Sequence, residues 1–469
     1  MIQLRNKRVA VIGIGSPGLA MAQFAQRQGA QVKCFGVRPA DRVEAAKKTL
    51  KAPIELIPTD ILPLNFADEF DLVILVTIYQ DYVPALVAAK DKGVEILTDL
   101  DLASQYPRGK LIAIAGSNGK SSTALTLKAF LDAQGKKSRL ISGEFSAIGD
   151  SLLDTKSYDF DILIADSLKL KWSDHFHPHI SALLNIYPGF PDKHPNFDDY
   201  GQSLSKVFAK QEADDFLVYQ YSDDVNYYLK EVGTKAQRRH FSTVPIDNEG
   251  AYYSTTDFKL VVDSKGEGRE ELLINPKLRV YPHKLQNMLA AIRIAKICGC
   301  SHEAIQKTID GLKPFPHRLE WFKTLDGVKY YDDSRARNLA ATVFALLSFA
   351  RRNIILIAGG EYMSQQFYKD LVPQLSGKVK CLIIVGVYRD RFFKHWGEAT
   401  ETYVVETLPE AVQLAYQLAE RGDKVLFSPA ARADRHLYIN SASRGDQFKA
   451  LVAKLDEFSK ARKIVSTKI

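Results

Sequence analysis

A glycine-rich loop that carries a lysine and two serines is the part of this sequence best suited to chemistry. It follows the apolar run 111–115 and precedes an amphipathic stretch at 124–131. Backbone N–H groups of such a loop point at phosphate oxygens, and the dipole of the following helix favours negative charge. Lys120 would neutralise the terminal phosphates, and Ser121 or Ser122 would ligate Mg²⁺. The pattern predicts a nucleoside triphosphate site, with an ordinary turn as the alternative. The loop residues are Gly116, Ser117, Asn118, Gly119, Lys120, Ser121 and Ser122.

A second glycine pattern, Gly13-Ile-Gly-Ser-Pro-Gly18, follows a short apolar stretch near the start of the chain. This is the dinucleotide fingerprint, which needs an acidic residue at the end of the next strand to hold a ribose. Phe35-Gly-Val-Arg38 occupies that place. The missing acid disfavours an NAD-dependent oxidoreductase, which is one hypothesis for the chain. We expect Ser16, Pro17, Gly18 and Arg38 to bind a phosphate-bearing ligand instead.

These loops must be positioned by strands and helices, which alternate along the whole chain. Such alternation predicts parallel, doubly wound α/β sheets. An α/β fold of three domains follows, with the phosphate loop in the middle one and a linker at Pro314-Phe-Pro316. The predicted domains are a Rossmann-like N-terminal domain over residues 1–106, a central P-loop ATPase-type domain with a parallel sheet over 107–315, and a Rossmann-like C-terminal domain over 316–469. The basic tail after Leu455 predicts a frayed end.

The composition is that of an ordinary globular protein, with 46% hydrophobic and 25% charged residues among 469. Four scattered cysteines without metal-ligand spacing favour a reducing cytoplasm. No apolar run approaches the ~20 residues that a membrane span needs, so we expect no membrane insertion. The net charge of +8 lacks a basic stripe with interleaved aromatics, which argues against a nucleic-acid partner.

Six motifs in order along the chain resemble those of the Mur ligase family, and the similarity spans nearly all of the sequence. They are Gly116-Ser-Asn-Gly-Lys-Ser121, His283-Lys-Leu-Gln-Asn287, Pro316-His-Arg-Leu-Glu320, Asp333-Ser-Arg-Ala-Arg-Asn338, Ser428-Pro-Ala430 and Ser443-Arg-Gly-Asp-Gln-Phe448. The resemblance is greatest to the ligases of this family that add D-glutamate. It implies an ATP-dependent amide ligase acting on UDP-N-acetylmuramoyl-L-alanine through an acyl phosphate, in peptidoglycan precursor synthesis. We also expect a monomer.

The resemblance carries roles onto single residues of this chain. It implies that Asn287, Arg318 and Asp333 bind ATP together with the phosphate loop. The nucleotide-sugar acceptor would lie at Ser16, Pro17, Gly18 and Arg38 in the N-terminal domain. An acidic amino acid would lie at Arg335, Ser428 and Arg432 in the C-terminal domain, where guanidinium groups suit a carboxylate. The implied catalytic residues are Lys120, His283, Arg318 and Lys206.

The chain departs from the family pattern at the metal. A gapless match puts Ile164 where the family has a glutamate that binds Mg²⁺, and a local gap lets Asp166 substitute. Phe190 replaces a metal-binding histidine, with Asp192 or His194 as candidate replacements. Lys206 is the nearest residue to the family's carbamylated lysine. We expect Ser121 and Asp166 to hold Mg²⁺. The alternative is a catalytically impaired nucleotide-binding protein with a regulatory or scaffolding role.

Three alternating histidines, His175, His177 and His179, offer a weak metal hypothesis. Alternating side chains share one face only in an extended segment, and Pro178 interrupts regular pairing. A cysteine or glutamate in ligand spacing is also missing. A surface loop before the next strand is the favoured interpretation.

Overall fold

The computed structural model describes the chain except for residues 1, 38–53, 143–146, 188–193, 246–249, 255, 265–267, 275–281, 314, 362–368, 435 and 467–469. The chain forms two compact units. The first comprises Met1–Ile186, Lys193–Asn275 and Lys284–Asp310. The second comprises Tyr187–Asp192, Pro276–His283 and Gly311–Ile469.

The first unit contains a five-stranded sheet whose described strands are all parallel, in the order β3-β2-β1-β4-β5. The strands are β1 (Arg8–Ile12), β2 (Gln31–Gly36), β3 (Glu55–Pro58), β4 (Leu72–Leu75) and β5 (Glu95–Thr98). The helices are α1 (Ser16–Arg27), α2 (Val83–Asp91) and α3 (Asp99–Gln105). Helix α3 begins at a capping box in which the Thr98 and Asp101 side chains each accept from the other residue's backbone N–H.

A nine-stranded sheet makes up the rest of the first unit, in the order β14-β13-β12-β11-β10-β9-β6-β8-β7. Its strands are β6 (Lys110–Ala115), β7 (Ser138–Ile141), β8 (Phe160–Ile164), β9 (Ile180–Leu183), β10 (Phe216–Gln220), β11 (Gln237–Ser242), β12 (Gly250–Ser254), β13 (Lys259–Ser264) and β14 (Gly268–Leu273). Strands β6 to β12 pair in parallel, whereas β12, β13 and β14 form an antiparallel extension.

The helices around this second sheet begin with α4, which directly follows the phosphate loop. The described helices are α4 (Lys120–Ala133), α5 (Ile148–Leu153), α6 (Ser167–Trp172), α7 (Phe197–Ser205), α8 (Asp223–Val232), α9 (Pro282–Ile297) and α10 (His302–Gly311). Helix α5 packs directly on α1, because a Cβ at Gly149 would lie 2.4 Å from the backbone nitrogen of Met21. Glycine therefore allows the two sheets of the first unit to be joined by close helix packing.

The second unit contains a six-stranded sheet in the order β15-β16-β20-β17-β18-β19, parallel except for the β15–β16 pair. Its strands are β15 (Glu320–Leu325), β16 (Val328–Asp332), β17 (Ile354–Ala358), β18 (Val379–Val385), β19 (Glu401–Val405) and β20 (Lys424–Phe427). Its helices are α11 (Leu339–Leu347), α12 (Val372–Lys378), α13 (Arg389–Trp396), α14 (Leu408–Leu418) and α15 (Ser441–Ser466). Successive residues of β17, such as Leu356 and Ile357, enter apolar clusters on opposite faces of the sheet, as expected for a sheet covered on both sides.

The predicted α/β fold with parallel-dominated sheets is confirmed, and each of the three sheets falls within one of the three predicted domains. Helix α15 continues to Ser466, and the fraying expected after Leu455 stays a prediction. Among the described residues, no helix combines the length and apolar character that crossing a membrane would take.

Candidate functional site

The predicted phosphate loop lies between β6 and α4 in the first unit. Gly116 and Gly119 have φ of +136° and +89°, conformations that side-chain-bearing residues rarely adopt. Gly119 is the N-cap of α4, so the first N–H groups of that helix face the loop. The Lys120 Nζ donates to the carbonyl oxygens of Gly116 and Ser117, which folds the ammonium group over the loop. The loop residues are therefore brought together as the sequence predicts.

Two asparagines from other elements hold the loop. Asn185, just after β9, accepts from the Asn118 N–H with its Oδ1 at 2.9 Å and donates from Nδ2 to the Asn118 carbonyl at 3.1 Å. Asn287 lies on α9, and a Cβ at Gly119 would be 2.0 Å from its Oδ1. The structure thus places Asn287 against the loop. His283, by contrast, is the second residue of α9 and falls in the second unit, with its ring 6.3 Å from that of Phe344.

Hard oxygen donors follow the strand beside the loop. Asp166 comes two residues after β8 and is the N-cap of α6, where its Oδ1 accepts from the Leu168 N–H at 3.0 Å. Ser121 lies in the first turn of α4 and is 9% exposed. A hydroxyl and a carboxylate are ligands that Mg²⁺ prefers, and a glycine loop at a helix N-terminus suits triphosphate. The donor set therefore fits both ATP and Mg²⁺.

The other candidates for the metal are placed differently. Ile164 ends β8 with an apolar side chain, and Phe190 and Asp192 lie outside the described residues. His194 has both ring nitrogens engaged, Nδ1 with Asp199 at 2.7 Å and Nε2 with Ser167 at 2.9 Å. Burial lowers the pKa of His194 despite the Asp199 carboxylate. Metal binding by His194 would require one of these contacts to break.

Lys206 is the C-cap of α7, and the contacts of its side chain do not favour a carbamate. Its Nζ donates to the carbonyls of Lys171 and Ser173 at 2.8 and 3.2 Å and contacts Asp174 at 3.2 Å. Oxygen acceptors and a carboxylate favour the positively charged ammonium and disfavour an anionic carbamate. Counting on from Tyr200, the resemblance puts Leu204 at the place of the family's carbamylated lysine, and Leu204 is a buried apolar residue.

The glycine pattern of the N-terminal sheet forms the turn that the fingerprint predicts. Gly15 caps α1, and Ser16 and Pro17 open the helix. A Cβ at Gly18 would lie 1.8 Å from the Gly13 carbonyl oxygen, so strand and helix pack too closely for any other residue. Ser16, Pro17 and Gly18 therefore lie together at the carboxyl end of β1, and Arg38 lies outside the described residues.

In the second unit, Arg318 is presented by a strained turn. Its neighbours His317 and Leu319 have φ of +63° and +48°. The Leu319 N–H donates to Asp333 Oδ1 at 3.0 Å, and the Ser428 hydroxyl donates to Asp333 Oδ2 at 2.8 Å. Burial raises the pKa of Asp333 to about 7. The structure thus brings Arg318, Asp333 and Ser428 into one arrangement.

A neighbouring polar cluster, His317, Glu320, Asp332 and Lys449, supports the same turn. The first three have ligand atoms within 4.8 Å of one another, and they are the group with metal-like spacing among the described residues. Lys449 Nζ, however, lies 2.5 Å from Glu320 Oε2 and 3.6 Å from Asp332 Oδ2. His317 Nδ1 donates to Asp332 at 2.7 Å. A protein cation therefore already neutralises these carboxylates.

The residues predicted to bind an amino acid are distributed around the same sheet edge. Ser428 is fully buried, with its hydroxyl also 2.9 Å from Thr342 Oγ1, so it supports Asp333 rather than facing a ligand. Arg335 and Arg432 are half-buried. A cavity of about 310 Å³ opens at the carboxyl ends of β17, β18 and β19, where Gly360, Asp434 and other residues line it. Such a size is at the lower end for small-molecule sites.

The histidine segment is the loop before β9 that the sequence favours. His177 and His179 both contact the buried Asp215, at 2.6 and 3.0 Å. Sequence reasoning missed two residues at the phosphate loop, Asn185 and Tyr200, and it named His194 as a candidate metal ligand where the structure has a buried bridge between Ser167 and Asp199. The Tyr200 hydroxyl lies 3.0 Å from Ser117 Oγ, and burial raises its pKa. The position of Asn185 at a strand end, next to the loop strand, was the available signal.

A phosphate loop on one parallel sheet, with two further parallel-dominated sheets before and after it, defines a nucleotide-binding α/β protein. Residues 114–295 match the Mur ligase middle domain, and residues 317–431 match the Mur ligase glutamate ligase domain. The chain belongs to the Mur ligase family. Members of this family are amide-bond-forming ligases that depend on ATP.

Individual relatives agree with this assignment. UDP-N-acetylmuramoylalanine--D-glutamate ligase of Alkaliphilus metalliredigens is 32% identical, covering 97% of this chain and 99% of that protein. The protein of the same name from Streptococcus pneumoniae is also 32% identical, with 97% and 99% covered. The crystal structure of MurF from Acinetobacter baumannii has a TM-score of 0.59 at 16% identity, covering 96% of this chain and 90% of that one, and so shares the fold.

Proposed function

We propose that this chain joins D-glutamate to UDP-N-acetylmuramoyl-L-alanine in peptidoglycan precursor synthesis, with ATP as the energy source. Relatives named for a UDP-N-acetylmuramoylalanine--D-glutamate ligase align with 97% of the chain. The observation that carries the proposal is the phosphate loop, which Asn185 holds by hydrogen bonds, against which Asn287 lies and over which Lys120 is folded.

The proposed reaction has two steps. An oxygen of the acceptor carboxylate attacks the γ-phosphorus of ATP, the bond to the bridging oxygen breaks, and ADP leaves. The free amine of D-glutamate then attacks the acyl carbon, phosphate leaves with the electron pair of the broken C–O bond, and the nitrogen gives up one proton to solvent. Because the first step brings two anions together, cationic groups must offset their repulsion. On the family resemblance, we assign this role to Lys120 and Arg318.

Ser121 and Asp166 would hold Mg²⁺, which supplies further neutralisation of the phosphates. Ser117, Asn118 and Ser122 would contribute loop contacts to ATP, and Asn287 and Asp333 contacts to its nucleoside part. His283 and Lys206 stay catalytic candidates on family resemblance alone. Because carbonyls hold the ammonium group of Lys206, we do not assign a carbamate to it.

The substrate sites follow from the sheet edges. Ser16, Pro17 and Gly18 lie at the carboxyl end of β1, where parallel sheets bind nucleotides, and we assign the nucleotide-sugar acceptor to them and to Arg38. On the family resemblance, we assign the amino acid to the second unit, with Arg335 and Arg432 as its carboxylate partners. Neither arginine lines the cavity of that unit, whose lining includes Arg444. We further propose domains over 1–106, 107–315 and 316–469, a monomer, and a cytoplasmic location.

The test is phosphate release from ATP and Mg²⁺ with UDP-N-acetylmuramoyl-L-alanine and a panel of D- and L-amino acids. Mass spectrometry of the joined product identifies the amino acid. Lys120→Ala should abolish the product, whereas Lys128→Ala, on the same helix and paired only at the surface with Asp132, should retain it. Nucleotide binding without any product would favour the catalytically impaired alternative.

A further inference from the structure

Four side chains form a continuous chain of contacts beside the phosphate loop, which we call the relay. Lys171 Nζ lies 2.7 Å from Asp199 Oδ1, and Asp199 Oδ2 lies 2.7 Å from His194 Nδ1. His194 Nε2 then lies 2.9 Å from Ser167 Oγ. The His194 side chain is only 1% exposed, so its ring is shielded from water.

The chemistry of the groups fixes the direction of the hydrogen bonds. An ionised Asp199 accepts from both neighbours, and hydrogen bonds from Lys171 and His194 hold its pKa below the usual range although burial opposes this. Nδ1 of His194 is therefore the protonated nitrogen, and Nε2 is an acceptor. Ser167 consequently donates its hydroxyl proton to His194, which fixes the rotamer of Ser167.

The relay links the segment that carries Asp166, the proposed metal ligand, to the segment that contacts the phosphate loop. Ser167 is the first residue of α6 and directly follows Asp166. Asp199 directly precedes Tyr200, whose hydroxyl lies 3.0 Å from Ser117 Oγ in the phosphate loop. The rings of His194 and Tyr200 also meet edge to face at 5.1 Å. The start of α7 thus contacts both the loop and the start of α6.

We propose that His194 is a positioning residue for Mg²⁺ and ATP: through Ser167 it fixes the start of α6, and with it Asp166, relative to the phosphate loop. The inference rests on the proposed function, because it takes Asp166 as the metal ligand. Side chains that orient metal ligands without touching the metal are commonly needed for metal affinity. In this chain the relay would orient one metal ligand, the carboxylate of Asp166.

The order serine, histidine, aspartate is also that of a hydrolase triad, and the relay contains the same atoms. Two observations argue against a nucleophile. Ser167 is only 6% exposed, and Asp199 is shared with Lys171 instead of serving His194 alone. A fluorophosphonate probe decides between the roles, because it labels a nucleophilic serine and leaves a positioning serine unmodified.

The experiment compares ATP affinity by calorimetry in excess Mg²⁺ and in EDTA, with Mn²⁺ binding to the ATP complex followed by electron paramagnetic resonance. The variants are His194→Asn, which keeps a donor toward Asp199 but does not reach Ser167, and Ser167→Ala, which removes the last link with little change in volume. His179→Asn is the matched control, because His179 also pairs with a buried aspartate, Asp215. His179 lies at the opposite end of β9 from Asn185.

We expect both relay variants to lose about tenfold in Mg²⁺-dependent ATP affinity and in Mn²⁺ affinity, with the EDTA value and the control unchanged. Equal losses with and without Mg²⁺, no loss in Ser167→Ala, or fluorophosphonate labelling of Ser167 would overturn the positioning role. A wild-type protein that binds ATP equally in Mg²⁺ and EDTA would instead overturn the proposed metal site itself, and the relay's role with it. The two failures are therefore distinguishable.

Discussion

Asn185 and Asn118 exchange two hydrogen bonds, one from the backbone N–H of Asn118 to Oδ1 and one from Nδ2 of Asn185 back to the Asn118 carbonyl, at 2.9 and 3.1 Å. The Asn185 carbonyl also accepts from the Ser117 N–H at 3.0 Å. A loop that must offer its N–H groups to phosphate cannot satisfy them all within itself. Asn185 gives it a fixed shape from the neighbouring strand end.

Replacing Asn185 with alanine should therefore weaken nucleotide binding. The loop loses both side-chain hydrogen bonds, and a buried polar group left unsatisfied costs about 1–3 kcal/mol. We expect the Kd for ATP to rise about tenfold, equivalent to ~1.4 kcal/mol, measured by calorimetry. Asn353→Ala, which removes an amide that bridges Gly422 and Lys424 in the second unit, should leave the Kd unchanged. A Kd equal to that of the wild type in Asn185→Ala would show that the loop keeps its shape alone.

Gly119 and Gly135 provide a matched pair at the two ends of α4. Both have positive φ, +89° and +75°, but a Cβ at Gly119 would lie 2.0 Å from Asn287 Oδ1, whereas one at Gly135 meets nothing within 4 Å. Gly135→Ala should cost only the backbone penalty, about 1 kcal/mol of unfolding free energy, and leave ATP binding intact. Gly119→Ala should displace Asn287 and reduce ATP affinity by well over tenfold.

Equal effects of the two alanines on ATP affinity would contradict this prediction, since they share the backbone penalty, whereas only Gly119 lies in the phosphate loop and against Asn287. Denaturant unfolding and calorimetry on the same preparations separate stability from binding. The comparison tests whether the close approach of Gly119 and Asn287 is needed for nucleotide binding.

The phosphate loop and the alternation of strands and helices could be predicted because both are local. A Gly-Lys-Ser run after an apolar strand has one common structural outcome, and repeated strand–helix periodicity gives parallel sheets. The motif around Arg318 was also visible, although its strained turn was not. Positive φ at His317 and Leu319 depends on Asp332 and Asp333, which accept hydrogen bonds from that turn.

The partners of the loop could not be predicted, because they depend on long-range packing. Tyr200 lies 83 residues from Ser117, and Asn185 lies 67 residues from Asn118, yet each pair is in contact. His194 illustrates the same limit. As a residue type it suggested a metal ligand, whereas the fold occupies both of its ring nitrogens with Ser167 and Asp199.

The buried carboxyl group of Asp333 should make the stability of the protein depend on pH. Burial raises its pKa in the folded protein to about 7, above the ordinary value of 3.8, with Asp332 adding repulsion and Arg318 and Ser428 acting in the opposite sense. The folded state therefore binds a proton between about pH 4 and 7 that the unfolded chain has released. The contribution of Asp333 to stability is fully present below pH 4 and is lost as the pH rises through 7.

Asp333→Asn removes this dependence while keeping an amide that can serve Leu319 and Ser428. We expect the variant to gain unfolding free energy relative to the wild type as the pH rises from 4.5 to 7.5, by ~4 kcal/mol at most for three pH units. Urea unfolding at several pH values measures the difference. A difference that is flat with pH, or that grows toward acid, would show that Asp333 is ionised throughout.

The Lys449 ammonium group takes the place that a metal ion would occupy between Glu320, Asp332 and His317. Lys449→Ala should destabilise the protein by about 2 kcal/mol, because Asp332 is fully buried and would lose the cation beside it. It should also create a vacant site with two carboxylates and an imidazole, ligands that bind Zn²⁺. We therefore expect Zn²⁺ to raise the melting temperature of Lys449→Ala, measured by differential scanning calorimetry.

The controls isolate the cluster from general metal effects. Lys454→Ala removes an exposed lysine from the same helix and should respond to Zn²⁺ like the wild type, whose own site is filled by Lys449. Adding His317→Ala to Lys449→Ala should abolish the response, because only two carboxylates remain. Equal stabilisation of the wild type and Lys449→Ala by Zn²⁺ would mean that the ion binds elsewhere. Absence of any destabilisation in Lys449→Ala would mean that Asp332 is already neutralised by His317.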